Sequence, residues 1–346
     1  MAYSQISSTT VPAPSASQTN FSFVVIGTMT ALKTVGNGGS VQNTVSRVGV
    51  TCPADFVLSL SNTGSPALSF DFVKYDQTTG AYEIWFKIAS WTASFTLYAL
   101  WGDAAVVTYQ GGAQGTAYDA STIRAYHFPD GTTLSLRDFS ANDATATNSG
   151  ATAITGQVDG GVGFDGSSTY IIPPVAGMPS GNTARTLEGW VNFNGTYTGF
   201  NLIWGYGASG ATQLFGFYLD QTTHHLTSWC AGTGGTQDTG VILTNNTWTH
   251  LAQTYDTFNI RCYVNGVLVL TYPASCSTTL TSFNIGRSFA AVDYFHGSVD
   301  EFMVSSSARA AAWLLDRTNN QSSQTALNPP AAGSTVANSL TLTGCV

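Results

Sequence analysis

Thr247-Trp248-Thr249-His250-Leu251-Ala252-Gln253-Thr254-Tyr255-Asp256, followed by Ile260-Arg261-Cys262-Tyr263-Val264-Asn265-Gly266-Val267, is the stretch on which the fold turns. Two runs rich in aromatic and β-branched residues flank an Asp-containing break, which reads as strand, turn, strand. Asn265-Gly266 then supplies the two-residue hairpin signal, because both positions tolerate the positive φ of such a turn. In that register Cys262 faces Val269 rather than Cys276, so no direct cross-strand disulfide is expected.

Working outward, similar short runs recur: Phe21–Gly27, Ala67–Tyr75, Tyr82–Ile88, Phe95–Trp101, Arg185–Phe193, Leu214–Leu219 and Gly297–Val304. Turn formers such as Asp76–Gly80 separate them, the pattern of a sandwich or barrel. One segment reads as helix: Ala308–Arg317, with Ser307 as its cap. The expected organisation is a Ser/Thr/Pro-rich arm (1–20), an all-β module (21–121), a second β-sandwich (122–318) and a polar tail (319–346). The strand-like alternation of Ser339–Thr343 has no obvious partner.

Composition narrows the function classes. The 346 residues carry 11 Lys plus Arg and 19 Asp plus Glu, a charged share of 9% against a hydrophobic share of 43%. An ordinary domain carries about 25% charge. The apolar share supports a packed core, and the lack of Lys and Glu excludes a coiled coil. A net charge of -8 without a basic cluster argues against nucleic acid as a partner. No apolar run approaches the roughly 20 residues of a membrane span, so no membrane insertion is expected. The start, Met1–Ile6, lacks the basic and apolar regions of a secretory leader. The five cysteines show no Cys-x-x-Cys spacing and are expected to be buried thiols.

From Asp138 to Arg317 the chain resembles the laminin-G-like, concanavalin-A-like jelly roll. The pieces occur in the family's order: Asp138–Asp143 as the opening loop, Gly161–Tyr170 with Phe164-Asp165-Gly166, Thr186–Val191, then Trp248, Tyr255-Asp256 and Tyr263–Gly266, then Asn284–Arg287 and Phe295–Phe302, and the short helix. Cys262 stands where a Leu is usual, and Ala141 where a glycine is. The first region more faintly resembles an uncharacterised all-β module of bacterial and phage surface proteins, through Gln18–Phe21, Tyr75-Asp76, Ile84–Lys87 and Leu97–Gly102. The expected fold is therefore all-β: two β-sandwich domains, the second a concanavalin-A-like jelly roll with one short C-terminal helix.

The resemblance covers lectins and glycosidases alike, so chemistry must come from residues. A retaining glycosidase needs two carboxyls about 5–5.5 Å apart. Only Glu83, Glu188 and Glu301 are available as Glu, and Asp300 and Glu301, being adjacent on a strand, are expected to point to opposite faces. No enzyme is expected. Asp138, Asn142, Asp143, Asp165 and Asp300 are candidate oxygen ligands for a structural calcium, which takes six to eight of them; the alternative is plain turn formation. Trp204, Tyr206, Trp229, Tyr294 and Phe295 are candidate glycan contacts, because sugars stack on aromatic faces; the alternative is core packing.

The combined expectation is a non-enzymatic virion or surface structural protein with a lectin-like module, such as a phage tail, fibre or capsid-decorating subunit. Its expected partners are other copies of itself, other virion or surface proteins, and host glycans. The expected location is the virion surface. The alternative is a secreted bacterial carbohydrate-binding or adhesion protein, with a glycoside hydrolase further behind.

Overall fold

The computed structural model describes residues 3–330, except 48, 130, 198, 209–212, 231–234 and 291–292. Ser339–Thr343 and Cys345 lie outside the described residues. The chain divides into two compact units: one runs to Ala117 and resumes at Gln324, the other spans Tyr118–Ser323.

The first unit contains β1 (Gln5–Val11), β2 (Gln18–Thr28), β3 (Thr44–Arg47), β4 (Val50–Pro53), β5 (Val57–Ser59), β6 (Phe70–Tyr75), β7 (Ala81–Trp91) and β8 (Phe95–Trp101). They form antiparallel sheets in the orders β1-β8-β5, β2-β7-β6 and β3-β4. The expected loose arm is thus corrected. β1 pairs with β8 from Gln5↔Trp101 to Val11↔Phe95 and buries Ser7, Thr9 and Val11. Its Ser/Thr run reads like a linker by composition, yet β-branched threonine suits a pleated, half-buried surface. The expected tail is partly corrected as well. Thr325 bridges Val25, and buried Leu327 donates its N–H to Tyr82 Oη.

The second unit contains β9 (Thr122–Tyr126), β10 (Thr147–Ser149), β11 (Thr152–Thr155), β12 (Gly160–Asp165), β13 (Tyr170–Ile172), β14 (Arg185–Phe193), β15 (Asn201–Gly207), β16 (Leu214–Leu219), β17 (His225–Cys230), β18 (Thr236–Ile242), β19 (Trp248–Tyr255), β20 (Asn259–Val264), β21 (Val267–Pro273), β22 (Ser282–Ile285), β23 (His296–Ser305) and α1 (Ala311–Ser322). A seven-stranded sheet runs β10-β13-β22-β15-β16-β17-β18. An eight-stranded sheet runs β11-β12-β23-β14-β19-β20-β21, with β9 on the second half of β23. The inner faces meet through Val162, Phe164, Val191, Leu251, Val299 and Phe302 on one side and Ile171, Trp204, Phe215, Phe217 and Ile285 on the other. The Asn265-Gly266 hairpin forms as read, with φ of 49° and 75°. A bulge after Cys262 moves it opposite Leu270 instead of Val269.

α1 is the one α-helix among the described residues, and it starts three residues later than the sequence suggests. The segment before it is held extended by Arg309, whose guanidinium grips both oxygens of Asp119 at 2.7 and 2.6 Å while its backbone N–H donates to Thr186 Oγ1. The helix also continues to Ser322, because Thr318 and Gln321 are buried against the sheet.

Candidate functional site

The hairpin turn at Asp220–His224 sets the register of β16 and β17. Asp220 Oδ1 accepts the N–H groups of Thr222 and Thr223, each at 2.8 Å. Counting back from that turn, Tyr218 lies opposite Thr227 and Gly216 opposite Trp229. Alternation then puts Phe215, Phe217 and Leu219 in the core and Tyr218 and Trp229 on the outer face of the seven-stranded sheet. Phe200, just before β15, is 47% exposed and joins them. Its ring centroid is 6.3 Å from that of Trp229 with the planes 31° apart; Tyr218 meets both edge-on, at 5.4 and 5.5 Å. Buried Leu202 lies opposite Tyr218 on the same face.

β18, the sheet edge, adds polar groups to this face. Thr236 is opposite Trp229 and Asp238 opposite Thr227. The exposed Asp238 carboxylate accepts from His225 Nδ1 at 2.8 Å and from Gly240 N–H at 2.7 Å. These hydrogen bonds, the Gly240 one foremost, hold it below the usual carboxylate range. Two rings with a solvent-facing side, a hydroxyl, a carboxylate and an imidazole together match what a sugar ring needs: an apolar face to stack on and acceptors and donors at its edge.

Of the residues expected to contact glycan, Trp229 belongs to this patch. Trp204, Tyr206 and Phe295 do not, and that expectation is corrected: all three are fully buried. Trp204 packs on Phe302 at 5.1 Å, Tyr206 donates its hydroxyl to Pro179 O and accepts from Arg185, and Phe295 stacks on Phe193. Tyr294 is half-buried and lies against Tyr170, over which the Arg287 guanidinium sits at 3.5 Å. Phe200 and Tyr218 escaped the sequence reading. The spacing from the Asp220 turn was the signal for Tyr218; Phe200 stands outside any strand and had none.

The five candidate calcium ligands do not present a shared set of oxygens. Asp138 accepts the N–H groups of Ala125, Ser140 and Ala144 and is fully buried. Asn142 donates to Ile123 O, and Asp143 pairs with Arg137 at 3.3 Å. Asp165 caps its own turn through Ser167, Ser168 and Thr169, and Asp300 accepts from Val158 and Glu301. Asp138, Asp165 and Asp300 each take up backbone N–H groups, and Asp143 pairs with a side chain. A chelator such as EGTA is therefore expected to leave the melting temperature unchanged; a fall of several degrees would contradict this placement.

The acids nearest to a catalytic pattern are sealed. β23 is bulged at Glu301 (φ 52°), opposite Gly189, where a Cβ would come 3.3 Å from the Phe302 Cα. The bulge breaks alternation, so Asp300 and Glu301 both lie on the outer face, and the expectation that they diverge is corrected. α1 and the 156–160 loop cover them. Glu301 contacts His127 Nδ1 at 2.7 Å and Gln321 at 3.4 Å, and Gln321 accepts from the Trp190 indole. His250 approaches Glu188 at 3.6 Å and Thr318 at 3.1 Å. Burial raises Glu188, Asp300 and Glu301, and burial plus the Arg317 charge lowers His250 to about 3. All are at most 2% exposed.

Among curated proteins none matches this chain. Among solved structures, one similar fold is domain 4 of AbnA, a GH43 extracellular arabinanase from Geobacillus stearothermophilus, in complex with arabinotriose (20% identity, TM-score 0.48, covering 57% of this chain and 97% of that one). Another is the binding domain of Paraclostridial Mosquitocidal Protein 1 (12% identity, TM-score 0.47, 57% and 52%). A third is the botulinum neurotoxin serotype D ligand binding domain in complex with N-acetylneuraminic acid (11% identity, TM-score 0.46, 58% and 51%). This chain spans about half the length of the two toxin chains. Residues 165–314 match the family model described as the concanavalin A-like lectin/glucanases superfamily, and the second unit has the concanavalin A-like jelly-roll fold.

Proposed function

We propose that this protein is a non-catalytic surface protein that holds glycans on the Phe200–Tyr218–Trp229 patch. The observation that carries the proposal is the pair of solvent-facing rings, 31° apart, standing beside Thr236 and the Asp238–His225 pair. The absence of catalysis is supported by the acids: Glu188, Asp300 and Glu301 are sealed beneath α1 and the 156–160 loop, where no substrate reaches them. A glycan array on the full chain tests the reading. Retention of at least one glycan class is expected; retention of none would end it.

The structural setting we infer is a virion, as a tail, fibre or capsid-decorating subunit. Composition favours this. With three Lys and three Glu in 346 residues, the Thr-, Ser- and Gly-rich surface carries little charge to keep copies apart. Such subunits assemble with closed symmetry. Light scattering is expected to show a defined oligomer at micromolar concentration, and a clean monomer would favour the secreted adhesion alternative.

A further inference from the structure

The outer face of the eight-stranded sheet carries a cavity of about 310 Å³. Its floor exists because one position lacks a side chain. On β12, Gly163 lies between Thr152 of β11 and Ser298 of β23. A Cβ at Gly163 would stand 3.0 Å from Ile154 Cγ2 and 3.3 Å from Thr152 Oγ1, so any larger residue would fill the space. Asp165, Asn194 and His296 complete the wall.

The wall presents polar groups to solvent. Ser298 Oγ, Thr152 Oγ1, Asn194 Nδ2 and the His296 ring nitrogens have no hydrogen-bond partner among the described residues. Asn194 is oriented, because its Oδ1 accepts the Thr196 N–H at 2.9 Å. Asp165 is locked by its turn, and its Oδ2 takes one bond, from Ser168 Oγ. Against the effect of burial, the N–H groups of Ser168 and Ser167 hold its carboxyl well below the usual range, so it stays anionic. Ile154 adds apolar contact.

We propose that this cavity is a second ligand site, which takes a neutral, hydroxyl-rich ring of monosaccharide size. The volume is at the small end of about 300–1,000 Å³ for ligand sites. Two side-chain hydroxyls, an amide NH₂ and an imidazole, set around a small apolar floor, match vicinal hydroxyls, which both donate and accept. The Asp165 carboxylate disfavours acidic sugars. The site is on the other sheet from the aromatic patch and does not rest on it.

The test is an amide NMR titration of the ¹⁵N-labelled full chain with methyl glucoside, galactoside, mannoside and N-acetylglucosaminide, and with glucuronate as the acidic comparison. At least one neutral sugar is expected to shift Gly163, His296 and Ser298, with glucuronate weaker. Ser298→Phe, which fills the cavity, should abolish the shifts, and His296→Ala should weaken binding about tenfold, a loss of about 1.4 kcal/mol. Trp229→Ala should leave them unchanged, which separates this site from the patch. No response to any neutral sugar, an equal response to glucuronate, or shifts that persist in both cavity variants would overturn the proposal. Should Ser298→Phe fail to fold, Thr152→Phe fills the same space from the exposed strand β11.

Discussion

Arg317→Ala is expected to destabilise the second unit by about 3–5 kcal/mol, the usual result of removing one partner from a buried charge cluster. Arg317 is 2% exposed on α1, where its charge acts on Glu188 and Glu301. Burial already lowers its own pKa and raises theirs. Without the guanidinium the two carboxyls must either stay protonated or stand as unpaired charge in the interior, and both disfavour folding. His127 and His250 do not take its place readily, because burial, the larger cause, by itself disfavours their charged forms. Combining Arg317→Met with Glu188→Gln and Glu301→Gln should restore most of the loss, since an apolar or neutral replacement of a whole cluster is often nearly neutral. Urea unfolding followed by hydrogen exchange in β14 and β23 separates the second unit from the first. A loss below about 1 kcal/mol, the ordinary range of an exposed ion pair, would mean that α1 does not seal these charges.

The fold was legible wherever alternation and turn chemistry agreed. Trp248–Tyr255, the Asn265-Gly266 turn and the β23 run all appear as read. What stayed hidden depended on facts that period alone does not carry. β15 is buried along its whole length, so an aromatic in it gives no sign of which face it takes; for Trp204 and Tyr206 the alternative of core packing is the one the structure shows. The Glu301 bulge puts adjacent acids on one face, and nothing in Asp300-Glu301 announces a positive φ there. β1 is hidden because serine and threonine serve both linkers and pleated strands. Arg309 shifts the helix start through Asp119, a partner nearly two hundred positions away in the chain. The candidate site was half legible: Trp229 was found by residue type, Tyr218 could have been found from the Asp220 turn, and Phe200 required the fold.

Trp229→Ala should reduce affinity for any glycan retained by the wild type by more than tenfold while leaving the melt close to that of the wild type. Truncating a central aromatic commonly costs 2 kcal/mol or more in binding, and each 1.4 kcal/mol is a factor of ten. Stability should change little, since the ring is partly exposed. Phe200→Ala, at the solvent side of the same patch, should have a smaller effect in the same direction, and Thr236→Ala a smaller one still. The decisive comparison is calorimetric titration of an array-selected glycan into the wild type and into folded Trp229→Ala. Loss of measurable heat in the variant is the expected result; an unchanged dissociation constant would place the glycan elsewhere and contradict the account.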